Sequence, residues 1–131
     1  MIIMFMGRRI LLCEDNMINA EIAETLLKEN GMLVDCAENG AIGLEKFLGS
    51  ESGYYDVVLM DIRMPVMDGL EAARTIREMK RADAQVVPII AMTANAYDED
   101  MRKSREAGMD AHLSKPVLPE QLYETLAKYT K

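Results

Sequence analysis

A chain of 131 residues is one domain's worth of sequence, long enough to bury about two-thirds of its unfolded surface. Half of it is hydrophobic and 28% is charged, a globular balance that excludes a disordered protein. The formal charge of −7, with Lys and Arg scattered along the chain, excludes a general nucleic-acid binder, which holds phosphates with clustered basic residues.

Residues 1–6 are apolar but too few for a signal-peptide core or a membrane span, and Arg8 and Arg9 follow them instead of preceding them. Residues 1–8 therefore read as an N-terminal extension or linker and residues 9–131 as a single domain, with no membrane insertion and a cytoplasmic location. Strands are expected at 9–13, 33–37, 57–60, 88–92 and 111–113, mostly as short apolar runs, the pattern of a parallel sheet covered on both faces. Helices fall between them. The first spans about 17–30, repeats Ile18, Ile22 and Leu26, and stops at Gly31, a glycine suited to the position after a helix end. The second runs over about 40–48, the third over 70–79 and the fifth over 119–129. The fourth, 96–107, carries only Ala96, Tyr97, Met101 and Ala107 as apolar residues amid seven charges, so it is expected to be the least firmly packed. Cys13 and Cys36 lie in apolar runs without zinc-like spacing and read as reduced thiols.

Five alternations of strand and helix predict an α/β fold, a doubly wound (βα)5 parallel sheet. Ligands of such sheets bind beyond the carboxyl ends of the strands. At those ends stand Glu14, Asp15, Asp61, Thr93 and Lys115. Asp61 is the sharpest signal, because it closes the apolar run Val57 to Met60, where a lone carboxylate is costly unless something compensates it.

In combination these motifs carry a resemblance. Acids follow the first strand, an Asp the third, Thr the fourth, and Lys-Pro the fifth, and the wording around Met64, Pro65, Asp68 and Gly69 fits as well. The chain resembles the receiver domain of two-component response regulators, in particular receivers of hybrid histidine kinases, over about residues 9–129. The resemblance implies the flavodoxin-like strand order 2-1-3-4-5, which the general rule for doubly wound folds itself illustrates with a chemotaxis receiver. It also implies a phosphohistidine donor on a histidine kinase or histidine phosphotransfer domain, and an aspartyl phosphate on Asp61. Further implications are a cation ligand from the Arg63 backbone carbonyl, Ala94 at the phosphoryl site, and a cis bond before Pro116.

The residue types support that chemistry. Three neighbouring carboxylates repel, and a hard divalent ion with oxygen ligands, Mg²⁺ or Mn²⁺, removes the conflict; Glu14 and Asp15, with Asp61, are its expected ligands. Ionised Asp61 is a competent nucleophile toward phosphorus. Lys115 and Thr93 would stabilise charge on the phosphoryl oxygens, and the small Ala94 leaves the site accessible. Taken singly, Asp61 reads equally well as a helix cap, Thr93 as a turn residue and Lys115 as a surface charge. Their joint order favours the site.

His112, the one histidine, lies where the family often carries a rotameric aromatic or His, so Thr93 and His112 form the expected switch. Arg63 and Asn95 fall at positions that in this family face the water that hydrolyses the aspartyl phosphate. The first turn of the first helix, Asn16 to Asn19, is the expected docking site for the donor. The face of the fourth helix, fifth strand and fifth helix would carry output to a downstream protein target or a covalently linked domain. The reading is of a phospho-acceptor, not a turnover enzyme. Its rivals are a non-phosphorylated pseudo-receiver acting as an interaction module, and an aspartyl-nucleophile phosphatase, which would want a second acid where Arg63 stands.

Overall fold

The computed structural model describes residues 5–94 and 98–130. In chain order the elements are β1 (Arg9–Cys13), α1 (Met17–Glu29), β2 (Leu33–Ala37), α2 (Gly40–Leu48), β3 (Val57–Asp61), α3 (Gly69–Glu78), α4 (Ala82–Val86), β4 (Ile89–Thr93), α5 (Asp98–Glu106), β5 (Ala111–Ser114) and α6 (Pro119–Tyr129). The five strands form one parallel sheet in the order β2-β1-β3-β4-β5, the doubly wound arrangement expected.

Alternate residues of each strand feed two cores. Leu11, Cys13, Val58, Met60, Ile89 and Ala91 face α2 and α3, where Phe47, Ala72 and Ile76 close the layer. Ile10, Leu12, Val57, Leu59, Ile90 and Leu113 face the other way, against Leu27 of α1 and Leu122 and Leu126 of α6. Every residue of β3 and β4 is buried, which is why those strands read as unbroken apolar runs. Cys13 and Cys36 are free thiols on opposite faces of the sheet. Burial pushes the Cys13 thiol up to about 12 and that of Cys36 to about 11.

Helix starts follow their capping side chains. Asn16, Asn39 and Asp68 accept hydrogen bonds from the backbone N–H groups of Asn19, Ile42 and Glu71 at 2.9, 2.8 and 2.8 Å. Gly31 closes α1 with φ of +80°, the left-handed conformation that glycine adopts freely.

Three features differ from the sequence expectation. α4 is an additional helix; with five residues it is too short to show helical periodicity. The fourth expected helix is α5, described from Asp98 onward, the expected residues 96 and 97 lying outside the described ones; the one buried side chain among those described within it is Ser104, which the sequence did not single out. Phe5, inside the stretch read as an extension, is buried at 1% exposure, with its ring centroid 6.4 Å from that of Tyr123 in α6. Just after it, Arg8 O accepts from Leu33 N at 2.8 Å, at the amino end of β2, and near the end of α6 Tyr129 Oη donates to Asp110 O at 3.1 Å, just before β5. Arg8 and Tyr129 therefore both lie beside the amino ends of strands.

Candidate functional site

The register puts the site residues on one rim. Cys13 lies opposite Met60, Asp61 opposite Met92, and Thr93 opposite Ser114, so β1, β3, β4 and β5 end level with one another. Glu14 directly follows β1, and its N–H still pairs with Ala37 O at 3.0 Å, which fixes where its side chain leaves the sheet. Asp61 is the last residue of β3, and Lys115 follows β5, its N–H held by Thr93 O at 2.9 Å.

Glu14, Asp15 and Asp61 each offer a carboxylate oxygen within 4.8 Å of the others. Glu14 and Asp61 are buried, at 5% and 3% exposure, whereas Asp15 is exposed. Lys115 Nζ donates to Asp61 Oδ2 at 2.7 Å and lies 2.8 Å from Glu14 Oε1. Burial opposes the Lys115 charge, but Asp61 and Glu14 outweigh it and hold the ammonium above its ordinary value. Burial, with Asp61 alongside, pushes Glu14 above the usual carboxylate range against the pull of Lys115 and of the Asn16 N–H. Three acids with a single ammonium leave unneutralised negative charge, and an all-oxygen donor set with one solvent-facing member suits Mg²⁺, which retains waters. The cluster fits such an ion.

The loop after Asp61 is built to stay close. Gly69 N donates to Ile62 O at 2.8 Å, and a Cβ on Gly69 would stand 2.2 Å from Asp61 O, so only glycine lets α3 start there. Arg63 N lies 3.3 Å from Asp61 Oδ1, while the Arg63 side chain is exposed and lines an open cleft of about 460 Å³ with Asp15, Met64, Pro65, Asp100 and Lys103. The backbone thus steadies the Asp61 carboxylate as the side chain reaches outward. Within this loop Val66 has φ of +69°, a conformation costly for a β-branched residue, and Met67 N donates across it to Pro65 O at 2.7 Å.

Thr93 is buried at the end of β4, and Ala94 beside it is exposed. His112 is half-buried on β5, opposite Ala91. Leu113 faces the α1–α6 core and Ala91 the α2–α3 core, so strand alternation puts Thr93 and His112 on one face of the sheet, a diagonal step apart. Asn95 lies outside the described residues. The Lys115–Pro116 bond is cis. Sequence reasoning missed Ser104, whose hydroxyl is hydrogen-bonded to His112 Nε2. The signal was its place three residues after Met101 and three before Ala107, on the one face of that helix with apolar neighbours.

The sequence profile of the response regulator receiver domain matches residues 10–127. Among curated proteins, hybrid signal transduction histidine kinase I of Dictyostelium discoideum is 39% identical over 91% of this chain, and histidine kinase 5 of Arabidopsis thaliana 38% identical over 92%. The chain spans 7% and 15% of those two proteins. The receiver domain of the Pseudomonas aeruginosa sensor histidine kinase PA1611, solved with a magnesium ion in its active-site cleft, is 36% identical with a TM-score of 0.84, covering 95% of this chain and 98% of its own. The Saccharomyces cerevisiae Ssk1 receiver domain, solved in complex with the histidine phosphotransfer protein Ypd1, is 28% identical with a TM-score of 0.84, covering 96% of this chain and 90% of its own.

Proposed function

Since this chain belongs to the response regulator receiver domain family and is a phosphorelay receiver, we propose that Asp61 is its phospho-acceptor, with Glu14, Asp15 and Asp61 holding a divalent cation. The observation that carries this reading is the buried Asp61 carboxylate, bonded to Lys115 at 2.7 Å and within 4.8 Å of two further acids. A receiver that acted only as a docking module would have no use for that convergence, so the pseudo-receiver reading is not favoured.

The reaction is a single displacement. A carboxylate oxygen of Asp61 forms a bond to phosphorus while the P–N bond of a donor phosphohistidine breaks, its electron pair returning to the imidazole. Mg²⁺, when bound, neutralises charge on the acids and on the phosphoryl oxygens, with Glu14, Asp15 and Asp61 as its carboxylate ligands and the Arg63 carbonyl as a further one. Lys115, already at hydrogen-bond distance from Asp61, stays beside the new acyl phosphate, and the Thr93 hydroxyl binds one of its oxygens. The exposed Ala94 leaves the approach open, and Arg63 and Asn95 set the access of the hydrolytic water.

The donor is a histidine kinase or histidine phosphotransfer domain. It docks on the first turns of α1, where Met17 and Ile18 are 85% and 69% exposed beside the acids. The complex formed by the yeast neighbour supports that class of partner. Output runs through α5, β5 and α6, with Thr93 and His112 as the switch pair, to a downstream protein or a covalently linked domain. Among the described residues no helix is long and apolar enough to cross a membrane, and we place the domain in the cytoplasm.

Incubation with acetyl phosphate and Mg²⁺, read by intact mass, tests the assignment. Wild type should gain one phosphoryl group and Asp61→Asn none, with chelator abolishing the gain. Phosphorylation of Asp61→Asn at the wild-type level would overturn it, and continuous phosphate release from many substrates would favour a phosphatase.

A further inference from the structure

Ser104 has no exposed surface, and a buried hydroxyl is costly unless its hydrogen bonds are made. Its oxygen is 3.0 Å from Met101 O, one turn back on α5, and that carbonyl can only accept, so the hydroxyl proton goes there. The bond to Met101 already satisfies the donor. What the hydroxyl offers His112 Nε2 is therefore a lone pair, and the imidazole must donate from Nε2. Burial, with the Arg105 charge next, holds His112 below its ordinary value, which favours the neutral ring, and the contact with Ser104 then calls for the Nε2-protonated tautomer. Ser104 is itself fixed, since its carbonyl accepts from Met109 N at 2.9 Å where α5 turns toward β5.

We propose that Ser104 is a positioning residue of the switch: its hydroxyl holds His112 in the orientation seen here, and this α5–β5 hydrogen bond must break before His112 can turn. The proposal rests on the reading of His112 as the switch side chain. It assigns α5 a direct part in setting the ease of switching. A bond made only in one arrangement stabilises that arrangement, so its removal shifts the population toward the other. Loss of the Ser104 hydroxyl should therefore make the acyl-phosphate-like form easier to reach.

The test is beryllofluoride titration in Mg²⁺, followed by the ring nitrogen signals of His112 in wild type, Ser104→Ala, His112→Phe and the double variant, with backbone amides as the midpoint readout for all four. The expected result is that the wild-type ring signals show the Nε2-protonated tautomer and move on titration. Ser104→Ala should lose that single-tautomer signature and reach its midpoint at roughly three- to tenfold lower beryllofluoride, the worth of an ordinary hydrogen bond. Its effect should vanish in the His112→Phe background, which a purely structural role of Ser104 would not produce. Ser104→Cys, which keeps the shape of the side chain at slightly greater bulk but replaces the oxygen with a weak acceptor, should shift the midpoint the same way. Wild-type ring signals that stay still would sink the reading of His112 and this proposal with it. Ring signals that move, with a midpoint unchanged or raised in Ser104→Ala or equally lowered without His112, would overturn the proposal and leave that reading standing.

Discussion

Lys115 is the cation that lets Glu14 and Asp61 share a buried corner, and each of those carboxylates is within 2.8 Å of its ammonium. Removing one partner of a buried ionic cluster leaves the others uncompensated, which costs more than the pair is worth intact. Lys115→Met should therefore lower stability by about 3 kcal/mol in the presence of chelator. Urea denaturation should show part of that loss recovered by Mg²⁺, whereas an equal loss with and without the ion would refute binding at these acids. Acetyl-phosphate labelling of the variant should fall about a hundredfold, the usual effect of deleting a donor to developing charge.

At the scale of elements, α4 shows how a five-residue helix survives without an apolar stripe. Arg81 donates to both oxygens of Asp83 at 3.0 and 2.9 Å, and Asp83 Oδ2 also accepts from Gly53 N at 2.9 Å, so α4 is pinned to the loop before β3. Burial opposes the Asp83 charge, but Arg81 and the Gly53 N–H outweigh it and hold the carboxyl below its ordinary value. A carboxyl depressed in the folded state contributes stability above its unfolded pKa and loses it as pH falls through the folded one. Asp83→Asn should thus cost about 1 kcal/mol at neutral pH, and the gap to wild type should close below about pH 4. Denaturation midpoints across pH 2–8 would check this; a gap constant with pH would show that charge is not what Asp83 contributes. α5 is the counterpart: the one buried side chain among those described within it is Ser104, which suits the shift proposed for this helix.

Across the whole molecule the carboxyl end of α5 is anchored by a distant residue. Beyond its carboxyl end, Arg77 of α3 donates to Gly108 O at 2.9 Å, Ala84 O at 3.0 Å and Asp110 Oδ2 at 2.9 Å, and that same oxygen accepts from Ile89 N at 2.9 Å. One guanidinium ties together α3, α4, β4 and the α5–β5 turn. Arg77→Met should destabilise the fold by about 2–3 kcal/mol while leaving acetyl-phosphate labelling at low temperature within about twofold of wild type. A large loss of labelling in folded protein would mean the clamp also shapes the rim. None of this was legible in the sequence, because Arg77 and Asp110 are 33 residues apart and their other partners are backbone groups, which carry no sequence signal. The strands, five of the six helices and the strand order were legible because buried parallel strands leave continuous apolar runs and the motifs identify the family. Glu14, Asp15 and Asp61 were legible because charges that end such runs are anomalous. Ser104 was overlooked, since its one signal, a place between Met101 and Ala107, is faint in a highly charged helix.

The places of Arg8 and Tyr129 bear on how the domain can be wired. Arg8 meets the amino end of β2 and Tyr129 the residue before β5, while the acids cap the opposite rim. A segment leading away from Arg8 or Tyr129 therefore starts on the side of the sheet away from the acids. On the proposed assignment of Asp61, a neighbour tethered there would leave the acid-lined rim open to a visiting phosphohistidine.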